Sequence, residues 1–159
     1  MSQDDLLKYS THDFGLLCYG GVSNVWLVYA GSPHKVLEDR VAREKTPADK
    51  ERFPGFKSGS YKAFAGPMEM TWRSRDGSEL SHTIDLNKEV PDRTIQYDHP
   101  ERVQRSKPFE TGEPTVIVEF NDRTVNVYIA VTLHVSPLDP AKRTVDYDVS
   151  YTCVYSRTL

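Results

Sequence analysis

The run TVNVYIAVTLHV, residues 124–135, decides the fold class of this chain. Apolar side chains stand at every second position from Val125 to Val135, and mostly polar side chains occupy the positions between them. Because successive side chains of a β-strand point to opposite faces, this period of two predicts an antiparallel strand with one buried face. The run TVIVEF, residues 115–120, precedes it, and Asn121-Asp122 between the two runs predicts a hairpin turn.

A second hairpin is predicted over residues 68–86. Apolar and polar residues alternate over residues 68–73 and again over residues 80–86, and Asp76-Gly77 lies between the two runs. Asp-Gly is a strong hairpin signal because these residues tolerate the positive φ of tight turns. The run at residues 145–155 repeats the alternation and predicts a closing strand.

The pair Gly20-Gly21 separates two apolar runs near the start of the chain, residues 14–19 and 22–30. Glycine adopts positive φ without a steric penalty, so the pair predicts a third hairpin turn. Both faces of residues 22–30 are mostly apolar, which indicates a strand that is covered on both sides or partly by a loop.

The composition agrees with a β-rich domain. The chain has 159 residues, the length of one domain, and its 16 Val and 12 Thr outnumber its 7 Ala. β-branched residues favour strands, whereas scarce alanine removes the best helix former. The net charge of -3 provides no basic face for nucleic acid, and no apolar run reaches the roughly 18 residues of a membrane-spanning helix.

Together these patterns predict an all-β fold, an antiparallel β-sandwich of seven to nine strands. We expect it to form one domain over residues 12–159. Residues 1–11 are mostly polar and are predicted to be a flexible N-terminal segment.

Two polar stretches, residues 31–60 and 87–113, are predicted to be long loop insertions, which often carry function. The first has helical spacing over residues 36–45, enough for one short helix. The second contains one predicted short strand over residues 94–97.

The sequence carries no catalytic or metal-binding signature. It contains no Gly-x-Ser-x-Gly, no phosphate-binding glycine loop and no Cys-x-x-Cys, and its five histidines are scattered. We therefore expect no catalytic residue, no cofactor and no metal site.

The two cysteines lie far apart, Cys18 in the first predicted strand and Cys153 in the last. Terminal strands often meet in sandwiches, so a Cys18–Cys153 disulfide is one interpretation, and it would indicate an oxidising compartment. The other interpretation is two free thiols, with Cys153 buried on the apolar face of its strand.

Recognition is the role that the remaining features favour. Phe53 and Phe56 lie in the first insertion, and Arg93 and Tyr97 lie in the second. Aromatic residues and arginine are the usual anchors of protein interfaces, because they bury a large area and keep a polar group. We therefore expect these four residues to bind a partner. The alternative is that the three aromatic residues plug the ends of the sandwich.

Three segments of the chain resemble a family of small bacterial lipoproteins. They are MEMTWRSRDG at residues 68–77, TIDL at residues 83–86 and PTVIVEFNDRTVNVY at residues 114–128. Such lipoproteins are often encoded beside type VI secretion effectors, including phospholipase toxins, and some act as the immunity proteins of those effectors. The resemblance spans residues 68–133 and consists of strand-and-turn patterns.

The resemblance implies a periplasmic immunity protein that docks on a cognate toxin and inhibits it by stoichiometric blocking. Members of the family carry an export signal and a lipidated cysteine, and residues 1–11 contain neither. We therefore expect a mature periplasmic form that touches the membrane only through a lipid anchor outside this chain, and a cytoplasmic location stays open. Two other classes stay open as well: a lipid- or glycan-binding module of the cell envelope, and a small β-rich enzyme.

Overall fold

The computed structural model describes residues 3–90 and 92–159, and that part of the chain contains nine β-strands. The strands are β1 (Thr11–Tyr19), β2 (Ser23–Tyr29), β3 (Ser32–Val36), β4 (Ser58–Lys62), β5 (Met68–Arg73), β6 (Glu79–Ile84), β7 (Thr115–Asn121), β8 (Thr124–Val135) and β9 (Asp146–Thr158). They are accompanied by two four-residue helices, α1 (Gln3–Leu6) and α2 (Leu86–Glu89), and by two 3-10 turns, Pro47–Asp49 and Pro100–Arg102.

The strands form two sheets packed face to face. One sheet has five strands in the order β4-β1-β7-β8-β9, and the other has four strands in the order β3-β2-β5-β6. Neighbouring strands are antiparallel except for β1 and β7, which run parallel. The predicted all-β sandwich is confirmed, and so are the two hairpins that turn at Asp76-Gly77 and Asn121-Asp122.

The hydrophobic core lies between the two sheets. The apolar row of β8 from Val125 to Val135 is buried, as its alternation predicts. Trp72 of β5 packs edge-on against Phe120 of β7, with ring centroids 5.0 Å apart, and its indole N–H donates a hydrogen bond of 2.8 Å to the carbonyl of Asp122. Apolar packing and this part-buried hydrogen bond therefore help to join the layers.

β7 is buried on both of its faces. Val116, Val118 and Phe120 pack in the core, whereas Ile117 and Glu119 alternate with them, and all five side chains are at most 2% exposed. A strand in a two-layer sandwich leaves one face to solvent, so the outer face of β7 requires a further cover. Residues 43–57 contribute to it through Lys45, which pairs with Glu119.

The prediction of a hairpin at Gly20-Gly21 is wrong, although the turn itself forms. The two glycines have φ of 69° and 78°, as a tight turn requires. β1 and β2, however, belong to different sheets, so the pair turns the chain from one layer to the other. The two glycine amides donate to the carbonyls of Arg43 and Ala42, which holds this corner in place.

The first insertion contains more regular structure than predicted, and the helix expected over residues 36–45 does not form. Leu37 and Asp39 have φ of 58° and 54°, which a right-handed helix cannot contain. The strand predicted in the second insertion is limited to a single bridge between Thr94 and Lys8.

β9 carries apolar side chains on the outer face of its sheet. Tyr147 and Val149 are 61% and 38% exposed. The pairing of β8 with β9 shifts register between Val127 and Tyr128, and beyond this shift Tyr155 packs against the core. A bulge of this kind changes which residues face inward, so the unbroken alternation of the sequence does not reveal it.

The segment predicted to be flexible contributes three side chains to the core. Leu6, Leu7 and Tyr9 are 5%, 4% and 6% exposed, and Met1 and Ser2 lie outside the described residues. The hydrophobic core therefore includes side chains that precede β1.

Replacing Leu27 by alanine tests the position of the core. Leu27 lies on β2 and is 0% exposed, so Leu27→Ala should lower the free energy of unfolding by about 3 kcal/mol. Leu138 is 82% exposed, and Leu138→Ala should change it by less than about 0.5 kcal/mol. Chemical denaturation measures both, and equal effects would contradict the assigned core.

Candidate partner-binding site

Residues 43–57, called here the anchored loop, cross the outer face of the five-stranded sheet. Lys45 lies over β7, where its Nζ donates to Oε1 of Glu119 at 2.7 Å. Asn126 and Tyr128 of β8 donate to the other oxygen of Glu119, at 3.0 and 3.2 Å. A carboxylate that is only 2% exposed requires such partners, because an unpaired buried charge is strongly destabilising. Glu119 therefore fixes the loop to the sheet.

A second buried carboxylate organises the loop from within. Asp49 is 3% exposed and accepts hydrogen bonds from Arg43 at 2.6 and 2.7 Å, from Arg52 at 3.0 Å and from the amide of Thr46 at 2.8 Å. The hydrogen bonds from Arg43, followed by the one from the Thr46 amide, hold the pKa of Asp49 well below its usual range. Asp49 thus stays ionised and joins both ends of the loop.

The loop then returns across the sheet toward β1. The Tyr151 hydroxyl of β9 donates to the carbonyl of Arg52 at 2.6 Å, and the Phe53 ring packs edge-on against Tyr151 with centroids 5.9 Å apart. Pro54 lies directly over Gly15 of β1, where a Cβ atom would come within 2.6 Å of the proline ring. Gly15 is therefore required for this close approach.

Phe56 follows this contact and is 81% exposed, although it is a large aromatic residue. Two adjoining hollows of about 280 and 340 Å³ lie between the edges of β1 and β3 and share Leu16 and Val36, and Phe56 lines the larger one. We call them the edge cleft, which is lined by residues 14–19, residues 33–37, Arg43, Arg52, Gly55 and Phe56. The anchored loop thus presents an exposed aromatic ring at the rim of a partly apolar cleft.

Two residues of the cleft lining have buried polar atoms that lack hydrogen-bond partners. They are the hydroxyl of Tyr19 and Nε2 of His34, judged within residues 3–90 and 92–159. The His34 ring packs against Phe14 with centroids 5.0 Å apart, and burial lowers its pKa, which favours the neutral ring. Unsatisfied buried polar groups are uncommon in folded proteins, and here two of them border one cleft.

The four residues predicted to bind a partner do not form one surface. Phe56 is exposed at the edge cleft, whereas Phe53 is half-buried against Tyr151. Phe53 therefore packs on the outer face of the five-stranded sheet rather than at an end of the sandwich, whereas the Phe56 ring is open to contact with a partner.

The two predicted residues of the second insertion make contacts within the fold. The Tyr97 hydroxyl donates to Asp148 of β9 at 2.7 Å, and burial, with this bond, raises the pKa of Tyr97 to about 12. The Arg93 guanidinium lies 5.2 Å from the centroid of the Phe64 ring and donates to Asn87. Tyr97 therefore packs beside β9, and Arg93 packs beside Phe64. Neither residue lines the edge cleft.

The structure contradicts the disulfide interpretation, because Cys18 and Cys153 are free. β7 and β8 lie between β1 and β9, which places the two strands about 14 Å apart, whereas a disulfide requires Cα atoms within about 7 Å. Cys153 is exposed rather than buried. Burial raises the pKa of Cys18 to about 12, so this thiol stays protonated.

A pair of carboxyl groups lies at the start of β1. Burial and a hydrogen bond to Glu113 raise the pKa of Asp13 to about 6. Burial works against ionisation of Glu113 too, but hydrogen bonds from Ser60 and Thr11, at 2.5 and 2.6 Å, lower its pKa overall. Neither carboxyl group lines the edge cleft.

Neither a metal-ligand cluster nor a membrane-spanning helix is present in the described residues. They contain no group of three or more His, Cys, Asp or Glu side chains that could hold a metal ion. No helix within the same residues has the length and apolar character needed to cross a membrane.

The residues that hold the anchored loop were not singled out from the sequence. One signal was present: Glu119 is a carboxylate within the apolar run TVIVEF, at a position that the structure buries. Its partner Lys45 lies 74 positions away, and Asp49 pairs with arginines in a charge-rich loop. Local patterns do not predict such pairs.

Comparison of the chain with protein-family models, with curated proteins and with solved structures gives no match.

Removing the charge of Asp49 should loosen the anchored loop. In Asp49→Asn we expect the amides of residues 43–57 to exchange with solvent about tenfold faster, while those of β8 stay protected. Because the pKa of Asp49 is lowered, its stabilising charge is lost only when pH falls through that lowered value. The wild-type loop should therefore remain protected at about pH 4, where an ordinary aspartate is half protonated.

The control for this measurement is Glu51→Gln in the same loop, since Glu51 makes no ion pair within the described part of the chain. Equal exchange rates in the two variants would show that Asp49 does not hold the loop.

Proposed function

We propose that the chain is an inhibitor that binds a protein toxin through Phe56 and the edge cleft and blocks it stoichiometrically. The observation that carries this proposal is the 81% exposure of Phe56 on a loop that is otherwise tied to the sheet. Exposed aromatic residues beside a pocket are typical anchors of protein interfaces. Burial of the Phe56 ring in a partner would supply most of the binding free energy at a single point.

The fixed conformation of the anchored loop supports a binding role. Association costs free energy when side chains and loops become ordered at the interface. Here Asp49, Glu119 and the contact of Pro54 with Gly15 order the loop before any partner arrives. Phe56 is therefore presented at low entropic cost, as a tight inhibitor requires.

The nature of the partner comes from the resemblance described above. We propose a type VI secretion effector, with phospholipase toxins as the first candidates, and a periplasmic site of action for a lipid-anchored form. Of the two insertions expected to make contacts, the first carries the edge cleft. The second has Arg93 and Tyr97 engaged within the fold, so we place the centre of the interface at residues 31–60.

Truncation of Phe56 tests the proposal. The chain is directed to the periplasm of a bacterium that produces each effector encoded beside its gene in the native host. We expect the wild type to restore growth, and Phe56→Ala to weaken affinity for that effector by about 30-fold, the loss of a hot-spot side chain. Leu138→Ala is the control, because Leu138 is equally exposed at 82% but does not line the cleft.

Two outcomes would overturn the proposal. One is that no neighbouring effector is neutralised by the wild-type chain. The other is that Phe56→Ala binds as tightly as Leu138→Ala, which would move the interface away from the edge cleft.

A second candidate function, glycan binding, is favoured by a different observation. Trp26 is 40% exposed on the outer face of the four-stranded sheet, beside a hollow of about 440 Å³. Thr71, Ser81 and Glu69 also line this hollow. A flat apolar ring surrounded by hydroxyl and carboxylate groups suits a sugar, which has an apolar face and polar edges.

The indole of Trp26 provides its own test. Trp72 is the second tryptophan of the chain, so Trp72→Phe leaves Trp26 as the fluorescent reporter. Glycan binding predicts a saturable change in its emission on titration with chitohexaose or with soluble peptidoglycan fragments, and loss of glycan retention in Trp26→Ala. No change at millimolar sugar would rule this candidate out for these glycans.

A further inference from the structure

The edge of β1 is open between Gly15 and Tyr19. β4 pairs with β1 only as far as Phe14, which lies opposite Ser58. On the same side, the next backbone hydrogen bond runs from the amide of Gly20 to the loop residue Arg43 at 2.9 Å. The two ends of the anchored loop therefore flank a free edge of about 16 Å, which is long enough for a strand of about four residues.

The backbone groups of Leu16 and Cys18 point to this open side. The amide of Asp13 donates to the carbonyl of Pro114, the residue before β7, so the odd-numbered residues of β1 bond toward β7. Because bonding directions alternate along a strand, the N–H and C=O groups of Leu16 and Cys18 face away from β7. Within residues 3–90 and 92–159, these groups have no partner on that side.

The open edge of β1 lacks the usual protection against a further strand. Natural edge strands carry proline or lysine, which discourage pairing, and β3 has Pro33 and Lys35. The corresponding stretch of β1 reads GLLCY, residues 15–19, with neither a charge nor a proline. Unpaired donors and acceptors on such a stretch are a template for an added strand.

The charges around the cleft indicate what such a strand would carry. The charged lining residues are Lys35, Arg43 and Arg52, and the lining contains no carboxylate. Asp49 offsets one of the two arginines, whose side chains are 54% and 51% exposed, and Glu38 pairs with Lys35 at 3.1 Å. One positive charge therefore remains at the cleft. An acidic segment complements this charge.

We propose that the partner contributes a short extended segment, with alternating apolar and acidic residues, which adds to the five-stranded sheet along Leu16–Cys18. Its apolar side chains enter the edge cleft beside Val36 and Phe56, and an acidic side chain contacts Arg52. This inference rests on the proposed function, since it specifies how the toxin would be held, but it can be tested without the toxin.

The probe is a displayed library of linear twelve-residue peptides, selected on the intact chain. We expect the selected peptides to share an alternating apolar and acidic pattern. Each selected peptide is then N-methylated on every second residue, in either of two phases. An added strand directs alternate amides at β1, so one phase should lower affinity about tenfold or more and the other should leave it nearly unchanged.

A substitution on the protein side complements the modified peptides. Leu16→Pro removes an outward-facing amide and leaves the β1–β7 bonds intact, as proline on an edge strand can. It should abolish peptide binding, whereas Leu16→Val, which keeps the amide, should not. If Leu16→Pro fails to fold, the difference in affinity between the two methylation phases tests strand addition by itself.

The results separate this inference from the proposed function. Equal loss in both methylation phases, binding that survives Leu16→Pro, or a selection that yields no peptide would overturn strand addition. If the Leu16→Pro variant inhibits a toxin as well as the wild type does, strand addition is overturned and the proposed function stands. If peptide binding depends on the methylation phase but the chain inhibits no neighbouring effector, strand addition stands and the proposed function is overturned.

Discussion

Glu119 is a carboxylate on the outer face of a central strand, and it is buried to 2% exposure. Such a charge is tolerated only when it is paired, and its pairing with Lys45 brings residues 43–57 across the sheet. Asp49 repeats the arrangement inside the loop, where it joins Arg43 to Arg52. The loop therefore acts as a partial third layer, which helps to bury the outer face of β7 at Glu119.

The same constraint creates the candidate site. Because the loop is tied down at Glu119 and at Tyr151, it leaves and rejoins β1 at two separate points, Gly20 and Gly15. The strand edge between these points stays open, and Phe56 stands beside it without a cover. Buried ion pairs are weak contributors to net stability, and here their consequence is a fixed loop geometry that suits recognition.

Local patterns predict the strands well and the site only in part. The alternation over residues 124–135 defines β8, and Asp76-Gly77 defines a hairpin, because both signals depend on neighbouring residues. The parallel pairing of β1 with β7 and the bulge in β9 depend on distant partners, so the Gly20-Gly21 hairpin and the disulfide were mispredicted. Residue type alone indicates Phe56 as an anchor, but its exposure follows from pairings that alternation does not encode.

Amide hydrogen exchange of the chain, free and bound to the effector proposed as its partner, locates the interface. We predict new protection at residues 15–19 and 52–57, with little change elsewhere. Protection confined to the Trp26 face, or to residues 93–97, with residues 15–19 and 52–57 exchanging as in the free chain, would contradict it.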